Sequence, residues 1–354
     1  MNGSGSRIAR YKYSINKFIQ TKSSLTTMSL YNKPSLDIIY KEFDHLVAIC
    51  LISVMNHKWK KSKLKFHGYY IACGIDIAIA LAKMTDRYYV YQDKIPHCKM
   101  VNFVAEMVSV MYQSLSCNVD SLKLNIPLKE TLRINQYCIN YLSKQISNLT
   151  VINDHVGTTR IKKTDFDGYK FKNETDRKKY RGLKHISDEE LMKHAKLKYG
   201  TACKITLIFS WLFGLGDEKS VPELEELGEE MGLMFKIAYD FDNVTEDLQL
   251  CKDHTYNFVI NKGIKESFEL FMQSKASFIE GMLKFSIWGP TIKEILDIIE
   301  AKIDDGINSA SIDEKYVYSE FSDTSSTTSI IAKNKIISKS LKISKQLDKK
   351  TKKN

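Results

Sequence analysis

Interruptions to regular backbone are scarce in this sequence: 5 Pro and 16 Gly are spread over 354 residues. A chain of many short strands needs a turn residue every few positions, so sparse punctuation favours long, uninterrupted helices. The apolar residues agree with this. "SLDIIYKEFDHLVAICLISVM" opens at Ser35 behind Pro34 with helical spacing, a second helix is expected from about Tyr69 to Met84, and a third starts near Pro96 and carries "VNFVAEMVSVMYQSL". "SDEE" at 187–190 makes a capping box for a helix through "LMKHAKLKYGTACKITLIFSWLFGL". Ser220, Pro222 and Glu223 make a further helix start, with Ser220 as its N-cap. The expectation is an all-α fold, and 43% apolar residues suffice for a large core.

The longest apolar windows, "LVAICLISVM" at 46–55 and "IACGIDIAIALAKM" at 71–84, are too short or carry a charge, so neither is expected to span a bilayer. Seven cysteines, odd in number and without a C-x-x-C pair, read as reduced core thiols, which fits a cytoplasmic, reducing compartment.

The net charge of +11 is unevenly placed: nine Lys against two Asp between Ser322 and Asn354 supply +7 of it. The body is therefore close to balanced. It has no basic stripe with interleaved aromatics, so specific nucleic-acid binding is not expected. Residues 323–354 read as a disordered basic tail and 1–27 as a flexible basic N-terminus. The first 36 residues contain no Asp or Glu, and Ile8, Tyr11, Ile15 and Phe18 recur at helical spacing beside Arg7, Arg10, Lys12 and Lys17. Organellar targeting or a membrane-surface helix thus stays open beside a frayed end. Residues 28–322 form the helical domain, with 152–184 expected as a polar loop or insertion.

One phrase carries chemistry. In "GLMFKIAYDFDNVTEDLQ", residues 232–249, Asp240, Asp242, Asn243, Glu246 and Asp247 close an otherwise apolar helix. Asp240, Asn243 and Asp247 fall at i, i+3 and i+7, so their oxygens can converge, while Asp242 and Glu246 form an adjacent i, i+4 pair. Crowded carboxylates repel one another and oppose the negative end of the helix dipole, so the arrangement calls for a cation. Magnesium is the candidate, because it takes a few carboxylate or carboxamide oxygens and bridges to phosphates. A solvated acidic helix end is the other reading.

"LGEEMGLMFKIAYDFDNVTED" resembles the second aspartate-rich region of the trans-isoprenyl diphosphate synthases, the polyprenyl synthetase family, in which G-x-x-F-Q-I-x-D-D-x-x-D closes a helix. Anchored on Phe235, the family's Gln falls on Lys236 and its three aspartates on Tyr239, Asp240 and Asn243. "KLKYG" at 196–200 is similar to the family's K-T-G and puts its phosphate-contacting Lys on Lys198. "EDLQLCKDHTYNFVINKG" looks like D-L-x-x-G-K-x-S/T, with Lys252 on the diphosphate-binding Lys. The early G-G-K-R-x-R-P phrase finds only "KKSKLKF" at 60–66, which keeps Lys61, Lys63 and Lys65 but loses the glycines and the bidentate Arg forks.

The resemblance implies an isoprenoid-synthase-type helical bundle around a central cavity. It also implies magnesium as cofactor, isoprenoid diphosphates as ligands, and a homodimer or a heterodimer with a synthase subunit. Lys198, Asp240 and Asn243 would be catalytic, and Asp240, Asn243, Asp242 and Asp120 would hold metal. Lys61, Lys63, Lys65, Lys198, Lys236 and Lys252 would bind diphosphate. The first aspartate-rich motif departs most: its three aspartates fall on Ser116, Cys117 and Asp120. Losing one well-placed electrostatic group commonly costs about a hundredfold in rate. Two functions remain open, a divergent prenyltransferase and a catalytically degenerate homologue acting as a non-catalytic subunit or an isoprenoid-binding protein.

Overall fold

A computed structural model describes residues 6–28, 33–58, 67–91, 95–124, 126–150, 159–160, 178, 182–251 and 253–309. They form α1 (Arg7–Lys22), α2 (Leu25–Met28), α3 (Lys33–Glu42), α4 (Leu46–Lys58), α5 (His67–Asp86), α6 (Tyr88–Tyr91), α7 (His97–Leu122) and α8 (Leu128–Thr150). After α8 come α9 (Asp188–Ala195), a π-turn (Lys196–Gly200), α10 (Thr201–Phe213), α11 (Val221–Leu250), α12 (Phe258–Lys262), α13 (Ile264–Lys284) and α14 (Pro290–Ser309). Among the described residues the only strands are Thr159–Arg160 and Lys184–His185, paired antiparallel. The expected all-α fold is the observed one.

Four helices make the centre. Every residue of α10 except Lys204 is buried, as a helix apolar on all faces requires. It packs on α11, α4, α8 and α5. The 30-residue α11 crosses the bundle and packs also on α13 and α14, while α5 packs on α7 and α4. The window Gly68–Asp86 has the length and hydropathy of a membrane span, but 83% of it is buried inside the bundle, so it is used here as core.

The close approach of α11 to the π-turn depends on glycine. A Cβ on Gly232 would lie 2.4 Å from the backbone of Gly200, and one on Gly228 would lie 2.6 Å from Cα of Lys204. Two glycines one turn apart on α11 therefore let its backbone lie directly against the π-turn and the first turn of α10. This contact fixes the depth at which the residues after Gly232 enter the core.

Four expectations need correction. From Arg7 the N-terminus is not a loose end, because α1 docks with Ile8, Ile15, Phe18 and Ile19 buried. The single helix expected from Ser35 breaks into α3 and α4, since His45 adopts φ 62 and its buried ring lies between Asp76 and Asn16, with Nδ1 2.7 Å and Nε2 2.9 Å from their side-chain oxygens. Ser220 has helical backbone and does not cap α11; Asp217 accepts from the Ser220 N–H instead. The Ser187 cap is as expected, with its hydroxyl accepting from Glu190 N–H. Of the cysteines, Cys98 is exposed and Cys117 half-buried, so they are not all core thiols. The tail 323–354 and most of 152–184 lie outside the described residues.

Substituting Gly232 by Ala is expected to cost about 1–3 kcal/mol through overpacking against rigid backbone. Urea unfolding of the variant checks this, and an unchanged midpoint would show that α11 can back away from the π-turn.

Candidate functional site

The π-turn and the final turns of α11 and α5 meet in one buried polar cluster. Asp86 ends α5, and Asp240 sits on α11 opposite it. Between them lies the Lys236 ammonium, 2.7 Å from Asp86 Oδ2 and 2.7 Å from Asp240 Oδ1. The two outer oxygens are also taken: His194 Nε2 lies 2.7 Å from Asp86 Oδ1, and the Phe258 N–H donates to Asp240 Oδ2 at 2.8 Å. His194 in turn stacks on Tyr256 at 3.8 Å between ring centroids. Lys236 and Asp240 are each 1% exposed.

Burial pushes the Asp240 carboxyl well above the usual carboxylate range, and Asp86 adds to this while Lys236 opposes it. At Asp86 burial pulls the same way, but Lys236 and His194 together outweigh it and hold the group low. Burial pulls the His194 imidazole down despite Asp86, and the charge of Lys236 adds to that effect. The two carboxylates are thus unequal around one shared cation.

Further along α11 a second carboxylate is neutralised in the same way. Arg87, the residue after α5, places Nε 2.7 Å from Asp247 Oδ1 and a terminal nitrogen 2.5 Å from Glu246. Tyr89 donates to the same Asp247 oxygen at 2.7 Å. Asn257 ties the two sites together by donating to the Asp240 carbonyl and to Asp247 Oδ2. Next to Asp240, Tyr239 donates its hydroxyl to Asp44, and the amines of Lys83 and Lys302 lie 4.1 and 4.8 Å from its ring centroid. Burial would raise the Asp44 carboxyl, but Lys83 and Lys302 hold it well below its usual range.

The residues expected from the sequence are distributed as follows. Asp240 and Lys236 are brought together, as an ion pair with each other. Lys198 is fully buried on the π-turn, its ammonium pushed down to about 8 by burial, with Asp86 opposing. Asn243 donates to the Tyr239 carbonyl on its own helix, and Asp242 is exposed. Asp120 is exposed on α7 and pairs with Lys123 at 2.7 Å. Lys61, Lys63, Lys65 and Lys252 lie outside the described residues.

Sequence reasoning missed Asp86, Arg87, His194 and Asn257. A signal existed for the first two: Asp86 closes an apolar helix as Asp240 does, and Arg87 follows it directly.

A divalent ion does not fit between Asp86 and Asp240 as they stand. Magnesium takes oxygen ligands at about 2.0–2.1 Å in an octahedron, whereas both facing oxygens here hold an ammonium and both outer ones hold nitrogen groups. Among the described residues no group of three His, Cys, Asp or Glu is arranged to hold a metal. Between α5, α7, α8 and α10, an apolar cavity walled by Ile71, Gly74, Met111, Leu142 and Phe209 measures about 10 Å³. That is about the space of one water.

No protein-family model and no curated protein matches the sequence. Solved structures do match. The geranyltransferase of Helicobacter pylori 26695 superposes with a TM-score of 0.51 at 14% identity, over 84% of this chain and 96% of that one. The same species' geranyltransferase complexed with magnesium and isoprenyl diphosphate gives 0.49 at 15% identity, over 85% and 98% of the two chains. The Legionella pneumophila enzyme gives 0.47 at 13%, over 85% and 99%. At such identities the likeness is one of fold, and the chain has the all-α architecture of the Helicobacter pylori 26695 geranyltransferase.

Lys198 gives a pH prediction. The unfolded chain holds that proton up to about 10.4 and the folded chain only to about 8. Between these values the unfolded state binds more protons, so stability rises with pH. Urea unfolding at intervals across this range should show a gain in the wild type, at most about 3 kcal/mol, that Lys198→Met lacks. Parallel curves for the two proteins would show that Lys198 is not desolvated.

Proposed function

We propose that this chain is a catalytically degenerate prenyl-synthase homologue, a non-catalytic subunit that keeps the helical bundle and pairs with another chain of the same fold. The observation that carries this is the Lys236 ammonium bridging Asp86 and Asp240. Prenyl transfer by the implied route needs metal charge on a leaving diphosphate, and electrostatic groups aimed at that charge supply most of the rate. Here the facing carboxylates spend their charge on a side chain of the same protein. Lys198 and Lys236, the described members of the expected cationic wall, are both buried.

A pairing surface is at hand. Leu128 and Leu132 in the first turns of α8 are 53% and 50% exposed, and Leu124 in the connection before it is 80% exposed. Four-residue spacing on α8 places Leu128 and Leu132 in one apolar ridge. Such a ridge is the kind of surface that a partner chain covers. The competing reading, a divergent prenyltransferase with magnesium on Asp240 and Asn243, requires Lys236 to leave its place between the carboxylates.

Incubating the purified protein with magnesium, labelled isopentenyl diphosphate and each allylic diphosphate in turn is expected to give no prenyl product. Any chain-elongated product would overturn the proposal. Sedimentation at micromolar concentration should show a dimer that Leu128→Asp with Leu132→Asp disrupts; a wild-type monomer would remove the ridge from this argument.

A further inference from the structure

The cluster at the ends of α5 and α11 poses an electrostatic problem that most folds of this size avoid. Two carboxylates from different helices face one another where Asp240 is 1% exposed and Asp86 is 8% exposed. Unscreened by water, they repel strongly unless a cation lies between them. Only a few kinds of cation can do this: a divalent ion drawn from solution, or an ammonium or guanidinium supplied by the chain.

We propose that the Lys236 ammonium is a built-in substitute for a divalent cation, so that the folded protein closes the Asp86–Asp240 junction without metal and holds no divalent ion there. The inference rests on the non-catalytic reading above and adds a statement about what holds the two helices together. Three features support it. The ammonium is equidistant from both carboxylates, 2.7 Å from each, which is where a bridging cation would sit. The outer oxygens are already satisfied by His194 and by the Phe258 backbone N–H, so no oxygen is left facing an empty position. Lys236 is also one helical turn from Asp240 on the same helix, so the cation arrives with the carboxylate and cannot be lost by dilution or chelation.

The chemical consequence concerns what a single substitution does. In Lys236→Gln the two acids keep their positions but lose their shared cation, and a carboxamide oxygen takes the place of the ammonium. Two carboxylates and one amide oxygen are a ligand set that a hard divalent ion accepts, the rest being water. The variant should therefore become dependent on metal for stability, a property the wild type lacks.

The test uses the full chain, with magnesium or manganese as the probe. Thermal unfolding of the wild type is expected to be the same in chelator and in millimolar magnesium, and manganese titrated by electron paramagnetic resonance should find no ion that Asp240→Asn removes. Lys236→Gln is expected to melt several degrees lower in chelator, to regain much of that loss in magnesium, and to bind one more manganese ion than the wild type. Adding Asp240→Asn to Lys236→Gln should abolish both the rescue and the extra ion.

A folded Lys236→Gln that neither gains an ion nor responds to magnesium overturns the proposal. So does a wild type whose melting rises with magnesium in a way that Asp240→Asn abolishes. If Lys236→Gln does not fold even in magnesium, the wild-type titration decides alone: an ion lost in Asp240→Asn overturns the proposal and none supports it. Prenyl product from a wild type with no ion at Asp240 would sink the non-catalytic reading while leaving this one standing.

Discussion

Two acids buried face to face cannot both stay charged without a cation between them, and the centre of this molecule is arranged around that condition. Lys236 supplies the cation for Asp86 and Asp240, and Arg87 supplies one for Asp247. The Lys236–Asp86 and Arg87–Asp247 pairs join the end of α5 and the residue after it to α11, so neutralising the charge also ties these segments together. Removing one partner of such a buried pair strands the other, at about 3–5 kcal/mol. Lys198, buried on the π-turn, brings a second ammonium near Asp86. Burial and Asp86 raise the Asp240 carboxyl against the pull of Lys236, and burial lowers the His194 imidazole against the pull of Asp86.

The geometry that allows this comes from backbone, not side chains. Glycines at 228 and 232 let α11 lie against the π-turn and α10, which lowers the following turns of α11 into the core. The π-turn places Lys198 and Tyr199 inward together, and π-bulges are commonly kept where a helix must aim particular side chains. Lys236 reaches Asp86 on α5 because this stretch of α11 sits so deep.

How much of this the sequence reveals depends on whether a feature is local. Helix periods, the Ser187 cap and the acidic end of α11 are contained within single helices and are readable. The break at His45 is not, because its left-handed backbone is stabilised by Asp76 and Asn16, which lie far along the chain. The docking of α1 was obscured by its basic residues, although the buried stripe Ile8, Ile15, Phe18 was visible as a period. At the site, the i, i+4 relation between Lys236 and Asp240 was legible, yet the family phrase read Lys236 as a phosphate contact. The third member, Asp86, is 150 residues away and meets Lys236 only in the folded chain.

The same contrast separates a shared fold from a shared chemistry. A bundle survives as long as apolar stripes meet, and at 14% identity the superposition over 84% of this chain reflects that tolerance. A metal-assisted reaction survives only if particular oxygens stay unpartnered until a cation and a diphosphate arrive. In this chain every oxygen of Asp86 and Asp240 has a partner from the protein itself. The arrangement gives the core a bond that ties Asp86 on α5 to Lys236 and Asp240 on α11.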